Sequence, residues 1–169
     1  VSEFDNPVMS VNPGKVNGNG YDDSTGVGAS IGWQGQLSPR VSAGVAYRSK
    51  VKMGKLDQYS GLLANGGEFN VPASTTVGVA FKASPKTTIA MDVQYIEYAK
   101  LASIGNSSEL LKPGVLKMGA ENGPGFGWNN QTVYKLGVRH QVTPTTAVMA
   151  GSNYDKSPIK APETTVNLL

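Results

Sequence analysis

Cysteine is absent from the 169-residue sequence. That removes disulfide frameworks, thiolate metal sites and cysteine nucleophiles together, and leaves the redox compartment open. Histidine occurs once, at His140, so clustered imidazole ligands are missing as well. Charge is scarce: Asp, Glu, Lys and Arg make up 16 % of the residues, against roughly 25 % in an average soluble domain. A disordered polyelectrolyte is excluded. The balance of 15 Lys plus Arg against 12 Asp plus Glu leaves +3, too mild for a dedicated nucleic-acid binder. Its one local excess is Arg40, Arg48, Lys50, Lys52 and Lys55. No window approaches the run of about 18 apolar residues that a membrane-spanning helix needs. The start, Val1-Ser2-Glu3-Phe4-Asp5, lacks the basic region of a signal peptide. A first residue other than Met is what a processed or excised piece would show.

Helical periodicity is also nearly missing; period-two alternation recurs in its place, between stretches rich in Gly, Pro and Ser. From Gly26 to Leu37, the residues Val27, Ala29, Ile31, Trp33 and Leu37 oppose Gly28, Ser30, Gly32, Gln34 and Gln36. The next segment sets Val41, Ala43, Val45, Tyr47, Val51 and Met53 against a small and cationic face that includes Arg48, Lys50 and Lys52. Val77, Val79 and Phe81 oppose Gly78, Ala80 and Lys82, and Ile89, Met91, Val93 and Tyr95 oppose Ala90, Asp92 and Gln94. Tyr134, Leu136, Val138 and Val142 stand against Lys135, Gly137, Arg139 and Gln141; Val148, Ala150 and Tyr154 stand against Met149, Gly151 and Asn153. Side chains alternate across a strand, so each segment has one apolar and one small or polar face.

An internal repeat punctuates these segments: Gly32, Gly78 and Gly137 each stand six positions before Ser38-Pro39, Ser84-Pro85 or Thr143-Pro144. Proline presets φ for a tight turn and donates nothing to a ladder, so it belongs at a hairpin tip. Much longer connections, Asp57 to Ala73 and Leu101 to Asn130, join one hairpin to the next. The sequence therefore predicts an all-β chain of six strands in three antiparallel hairpins, with short turns at one end and long loops at the other.

Two architectures produce such alternation. In an up-and-down transmembrane β-barrel the apolar faces meet lipid, Tyr47, Tyr95, Tyr98, Tyr134, Tyr154 and Trp33 form an interfacial girdle, and the polar rows line the interior. In a soluble β-sandwich, an interaction or adhesion module, the apolar faces meet in a dry core. Strand length and lopsided loops favour the barrel. Six strands alone would leave two open edges, which lipid does not tolerate.

Four stretches resemble the FadL-like outer-membrane transporters: Leu37-Ser38-Pro39-Arg40 leading to Val45-Ala46-Tyr47-Arg48-Ser49-Lys50-Val51-Lys52; Val71-Pro72-Ala73; Phe126-Gly127-Trp128 before Tyr134-Lys135-Leu136-Gly137-Val138; and Tyr154-Asp155-Lys156-Ser157-Pro158-Ile159. The resemblance implies a monomeric barrel of roughly 14 strands in the bacterial outer membrane. It implies an N-terminal hatch and passive uptake of long-chain fatty acids or aromatic hydrocarbons, with a sideways exit through the wall and without enzymatic chemistry or a cofactor. It covers the middle and later part of such a barrel. Residues 1–169 are therefore expected to be part of a single barrel domain whose hatch and remaining strands lie outside this chain.

Candidate site residues follow. Arg48, Lys50, Lys52, Lys82, Asp92, Lys135 and Arg139 are expected to line the lumen, because a charge facing lipid would cost about 2 to 4 kcal/mol at mid-depth. A charged row of this kind can attract a carboxylate head group or simply satisfy a polar interior. Leu62, Leu63 and Phe69 in one long loop, and Leu110, Leu111, Val115, Leu116 and Phe126 (with Met118) in the other, are unusual in a solvated loop. They are candidates for a ligand-capture groove or for packing of the loops on each other. The stretch from Ser107 to Leu116 is expected to form one or two helical turns before Pro113.

Catalytic readings are poor. Gly28-Ala29-Ser30-Ile31-Gly32 matches a nucleophile elbow, and Ser30, Asp92 and His140 fall in hydrolase order, but Ser30 lies mid-strand without the strand-turn-helix context. Asp92 and Glu97 have opposite parity on one strand, which separates an acid from a base. No metal site is expected.

Overall fold

The computed structural model describes residues 5–111 and 115–163. Eight strands run in chain order: β1 (Gly26–Val27), β2 (Ser30–Ser38), β3 (Val41–Arg48), β4 (Lys52–Met53), β5 (Ser74–Ser84), β6 (Thr87–Ile96), β7 (Gln131–Gln141) and β8 (Ala147–Asp155). Six of them form one antiparallel meander in the order β2-β3-β5-β6-β7-β8. Each of the six pairs with the next of the six along the chain, as the alternation and the turn residues require, while β1 and β4 pair with each other; β2 and β8 are the open edges. This is part of an up-and-down barrel wall, unclosed.

The register carries the two faces coherently across the sheet. Trp33, Val45, Val77, Val93, Tyr134 and Tyr154 form one cross-strand row, and Ile31, Tyr47, Thr75, Tyr95 and Thr132 form the next toward the long loops. These apolar side chains stay uncovered: Val45 is 44 % exposed, Val79 43 % and Val138 39 %. A soluble sandwich would bury those three in a dry centre. Among the described residues no second layer covers this face, so the sandwich alternative falls. Of the residues expected in the aromatic girdle, Trp33, Tyr47, Tyr95, Tyr134 and Tyr154 lie together on this exposed face toward its long-loop end. Tyr98, expected in the girdle, packs instead in the loops, edge-on to Trp128 with ring centroids 5.2 Å apart.

The hairpin turns show what the Ser/Thr-Pro repeat does. The hydroxyl of Ser38 accepts the backbone N–H of Arg40 at 3.3 Å and of Val41 at 3.1 Å, and that of Ser84 accepts the N–H of Lys86 at 3.2 Å. Thr143 takes the N–H groups of Thr145 and Thr146 at 3.3 and 3.0 Å. The residue before proline thus satisfies the turn amides that no strand reaches. Leu37 and Ala83, just upstream, are skipped by the register as one-residue bulges. The third turn is longer, closing through the Val142 N–H to the Thr146 carbonyl at 2.9 Å.

One sequence expectation changes at the other end of the first hairpin. The alternation reads as unbroken from Gly26 to Leu37 and from Val41 to Met53, but the ladder is interrupted at Gly28–Ala29 and at Ser49–Val51. There the pairing shifts by one residue, from Ser30 opposite Arg48 to Val27 opposite Lys52. The Ser49 hydroxyl accepts the Ala29 N–H at 2.9 Å inside the break. A β-carbon on Gly28 would run into Val51, so the close approach requires glycine there.

With both sheet faces uncovered, the buried apolar residues gather in the long loops: Val16, Leu63, Ala64, Leu101, Ile104 and Met118 are each at most 9 % exposed. The N-terminal segment 5–25 and the connections 49–73, 97–111 and 115–130 interlock there as a cap. Met118 bridges to the N-terminal segment beside Ser10: its N–H donates to the Met9 carbonyl at 2.9 Å and its carbonyl accepts the Val11 N–H at 3.1 Å. The Ser10 hydroxyl donates to the Gly61 carbonyl at 2.7 Å, and the Tyr59 hydroxyl to Gly20 at 2.6 Å.

Candidate ligand passage

The face opposite the girdle is small and polar. One row across it reads Gln34, Gly44, Gly78, Asp92, Lys135 and Asn153; the next toward the short turns reads Gln36, Ser42, Ala80, Ala90, Gly137 and Gly151. Their lack of bulk leaves a groove of about 450 Å³ over β2, β3, β5 and β6, lined in part by Gln34, Ser42, Gly44, Gly78, Ala90 and Asp92. All three glycines of the repeat lie on this face by register, each one row nearer the short turns than the last.

Asp92 is half-buried and leans over Gly78, filling the space a β-carbon there would take. Its register partner Lys135 turns away and donates from Nζ to Gln94 Oε1 at 2.8 Å. Among the described residues Asp92 therefore has no ion-pair partner, although a lysine stands opposite it. Arg139 donates to Gln141 Oε1 at 2.6 Å, and Lys82 lies in its row across Thr88. Arg48 occupies the same face at the loop end, opposite Ser30 and Ser74. Lys50 and Lys52, which the alternation puts in line with Arg48, lie beyond it: Lys50 in the break and Lys52 in β4 after the register shift. Both are exposed, but they do not continue the Arg48 row of the main sheet.

The loop candidates divide by burial. Leu62, Phe69, Val115 and Leu116 are exposed, at 38, 43, 54 and 37 %. Leu110, Leu111 and Phe126 are half-buried, and Leu63 belongs to the buried centre of the cap. Ser108–Leu111 forms the expected helical turn as a single 3₁₀ turn; Pro113 lies outside the described residues.

A device that the alternation does not signal holds the cap together. Glu163, 56 and 55 residues from its partners Ser107 and Ser108, is buried. It accepts the Ser107 hydroxyl at 2.5 Å, the Ser108 N–H at 2.9 Å and the Ser108 hydroxyl. Gly127, at φ +69°, lies against its side chain where no β-carbon would fit. Burial alone would raise the Glu163 pKa, but the bonds from Ser107 and Ser108, with Lys160 nearby, outweigh it and hold the carboxyl below its ordinary range.

The hydrolase reading fails on geometry. Ser30 lies at the loop end of the small, polar face, Asp92 mid-sheet on that face, and His140 on the other face near the short turns, its Nδ1 2.9 Å from Thr87 Oγ1. The order along the chain does not bring the three together.

The family described as outer membrane protein transport protein (OMPP1/FadL/TodX) matches residues 3–168 of the chain. The chain belongs to this family. Its structure is similar to that of the Pseudomonas putida toluene transporter TodX, with a TM-score of 0.54 and 17 % identity over 79 % of this chain and 35 % of that one. It is similar to the CymD monoaromatic hydrocarbon channel, with a TM-score of 0.54 and 19 % identity over 78 % of this chain and 38 % of that one. No curated protein matches the sequence. The FadL/TodX chain described here thus spans just over a third of the length of the solved relatives it matches. It is an outer-membrane chain; in barrels of the outer membrane short turns stand on the periplasmic side and long loops outside. The named relatives are a transporter and a channel rather than enzymes.

Proposed function

We propose that this chain forms part of a monomeric outer-membrane channel that takes up hydrophobic compounds, aromatic hydrocarbons or long-chain fatty acids, by passive diffusion. The six strands then belong to one larger barrel domain, completed by strands that pair with the free edges of β2 and β8. The observation that carries the reading is the two-faced sheet: an uncovered apolar face suited to outer-membrane lipid, backed by a face of small side chains that leaves a groove. The exposed apolar loop residues Leu62, Phe69, Val115 and Leu116, with Leu110, Leu111 and Phe126 beside them in sequence, capture ligand at the mouth. Arg48, Lys82, Asp92, Lys135 and Arg139 then line the way, with Lys50 and Lys52 above them. Ligand partitioning supplies the driving force, so no cofactor or energy source is needed. The two named relatives support the aromatic class; the cationic row supports a carboxylate-bearing one.

The experiment is uptake of labelled toluene and of a labelled long-chain fatty acid by cells that lack their own importer and carry the full-length protein. A gain in either compound supports the proposal and names the class. No gain for both, with the protein folded in the outer membrane, defeats it.

A further inference from the structure

Charge is distributed unevenly along the barrel axis. Segments 36–42, 80–90 and 137–151 build the short-turn end and contain Arg40, Lys82, Lys86 and Arg139 without a single Asp or Glu. Among the described residues Asp92 lies mid-sheet, and every other carboxylate belongs to the long-loop end. The ladder gathers the four cations along one edge. The Lys82 N–H donates to the Arg40 carbonyl at 2.8 Å. The Gln141 N–H donates to the Lys86 carbonyl at 2.8 Å, while its side chain accepts from Arg139 at 2.6 Å. Lys82, Thr88 and Arg139 share one row, so Lys82 and Arg139 stand about 10 Å apart, twice the strand spacing. All four are exposed, and among the described residues none of them meets a carboxylate.

We infer that this edge is a docking collar for the phosphate groups of anionic phospholipid, of the phosphatidylglycerol class, in the periplasmic leaflet. The lipid-facing side is apolar down to the turns: Leu37, Val142 and Val148 are 63, 51 and 59 % exposed and belong in hydrocarbon. That depth puts the turn residues Arg40 and Lys86 among the head groups. Lys82 and Arg139 start on the inner face, one row above, and their long stems carry the charge to the rim. Cations left without a protein carboxylate at a membrane boundary take lipid phosphate as counter-charge, and a guanidinium meets phosphate with two parallel hydrogen bonds. The collar shares Lys82 and Arg139 with the proposed passage but uses neither the groove nor the loops, and its test reads lipid selectivity where the transport test reads uptake, so the two readings fail separately.

The test is lipid selectivity of the full-length protein folded into phosphatidylcholine bilayers, read from the motionally restricted fraction of spin-labelled phosphatidylglycerol and phosphatidylcholine. The native protein should favour phosphatidylglycerol roughly fivefold, the effect of about one surface-bound cation. The preference should fall to parity in the variant Arg40→Gln, Lys82→Gln, Lys86→Gln, Arg139→Gln, and in about 0.5 M salt. It should survive in the matched long-loop variant Lys15→Gln, Lys55→Gln, Lys156→Gln, Lys160→Gln. Heat-modified gel mobility reports folding; should the fourfold variant not fold, Lys86→Gln at its exposed turn tip is expected to lower the preference by itself. Equal association of both lipids with the native protein, a preference untouched by these substitutions, or binding of inorganic phosphate with no discrimination between the lipids would overturn the inference.

Discussion

Asp92 and Gly78 are register partners on neighbouring strands, and the Asp92 carboxylate occupies the place where a β-carbon on residue 78 would stand. The groove depends on this pair. Gly78→Ala displaces only the end of a flexible side chain and should leave folding intact, steering Asp92 toward Lys135. Gly78→Leu fills the groove itself. Uptake of the labelled compounds should persist in the first variant and drop severalfold in the second, with both folded by heat-modified mobility.

The two faces of the wall respond oppositely to charge. Val79→Arg places a cation on the lipid side near mid-depth and should cost about 2 to 4 kcal/mol of barrel stability. Ser42→Lys, on the inner face, should cost far less. Urea titration of the full-length protein in bilayers separates them; equal costs would contradict the assignment of faces.

The Ser/Thr hydroxyls before proline cap the turns. Ser38→Ala should destabilise the first hairpin by about 0.5 to 1.5 kcal/mol, the net worth of an ordinary hydrogen bond. Ser38→Thr keeps the acceptor and should restore it. The measurement is the urea midpoint at unchanged slope.

Glu163 gives the cap a defined response to acid. Its pKa is lowered on folding, so its contribution is complete above the ordinary glutamate value of about 4.3. It is lost as pH falls through the lower folded value. Hydrogen exchange of the loop 97–130 should stay slow at neutral pH and accelerate in acid, where Glu163 takes a proton. Glu163→Gln, which keeps one acceptor oxygen but loses the charge that strengthens these bonds, should show faster exchange at neutral pH and lose the acid step.

The residues that signal this fold in the sequence do so because their message is local. Alternation from Ser74 to Ile96 needs only the two-residue period of a strand, and Pro39 and Pro85 mark turns by their own fixed φ. Lys82, Asp92, Lys135 and Arg139 are assigned to one face by parity alone, and the register brings them onto a common face of the sheet. Parity fails at Ser49–Val51, where a one-residue shift in pairing takes Lys50 and Lys52 out of the Arg48 row. A bulge of that kind is set by the partner strand, with Gly28 against Val51, and not by the segment that contains it.

The loops were legible only as unusually apolar. That Leu63 is buried while Leu62 beside it is exposed depends on how the cap closes. So does the lock of Glu163 on Ser107 and Ser108.

By itself, then, the chain's order of residues determined six amphipathic strands, their turns, and which residues share the apolar side of each. Tertiary structure alone decided the pairing register, the groove left by glycines on neighbouring strands, and the polar contacts that close the cap. The physical reason is range. Backbone pleating acts between adjacent residues, whereas groove width and buried hydrogen bonds arise between segments brought together only by folding.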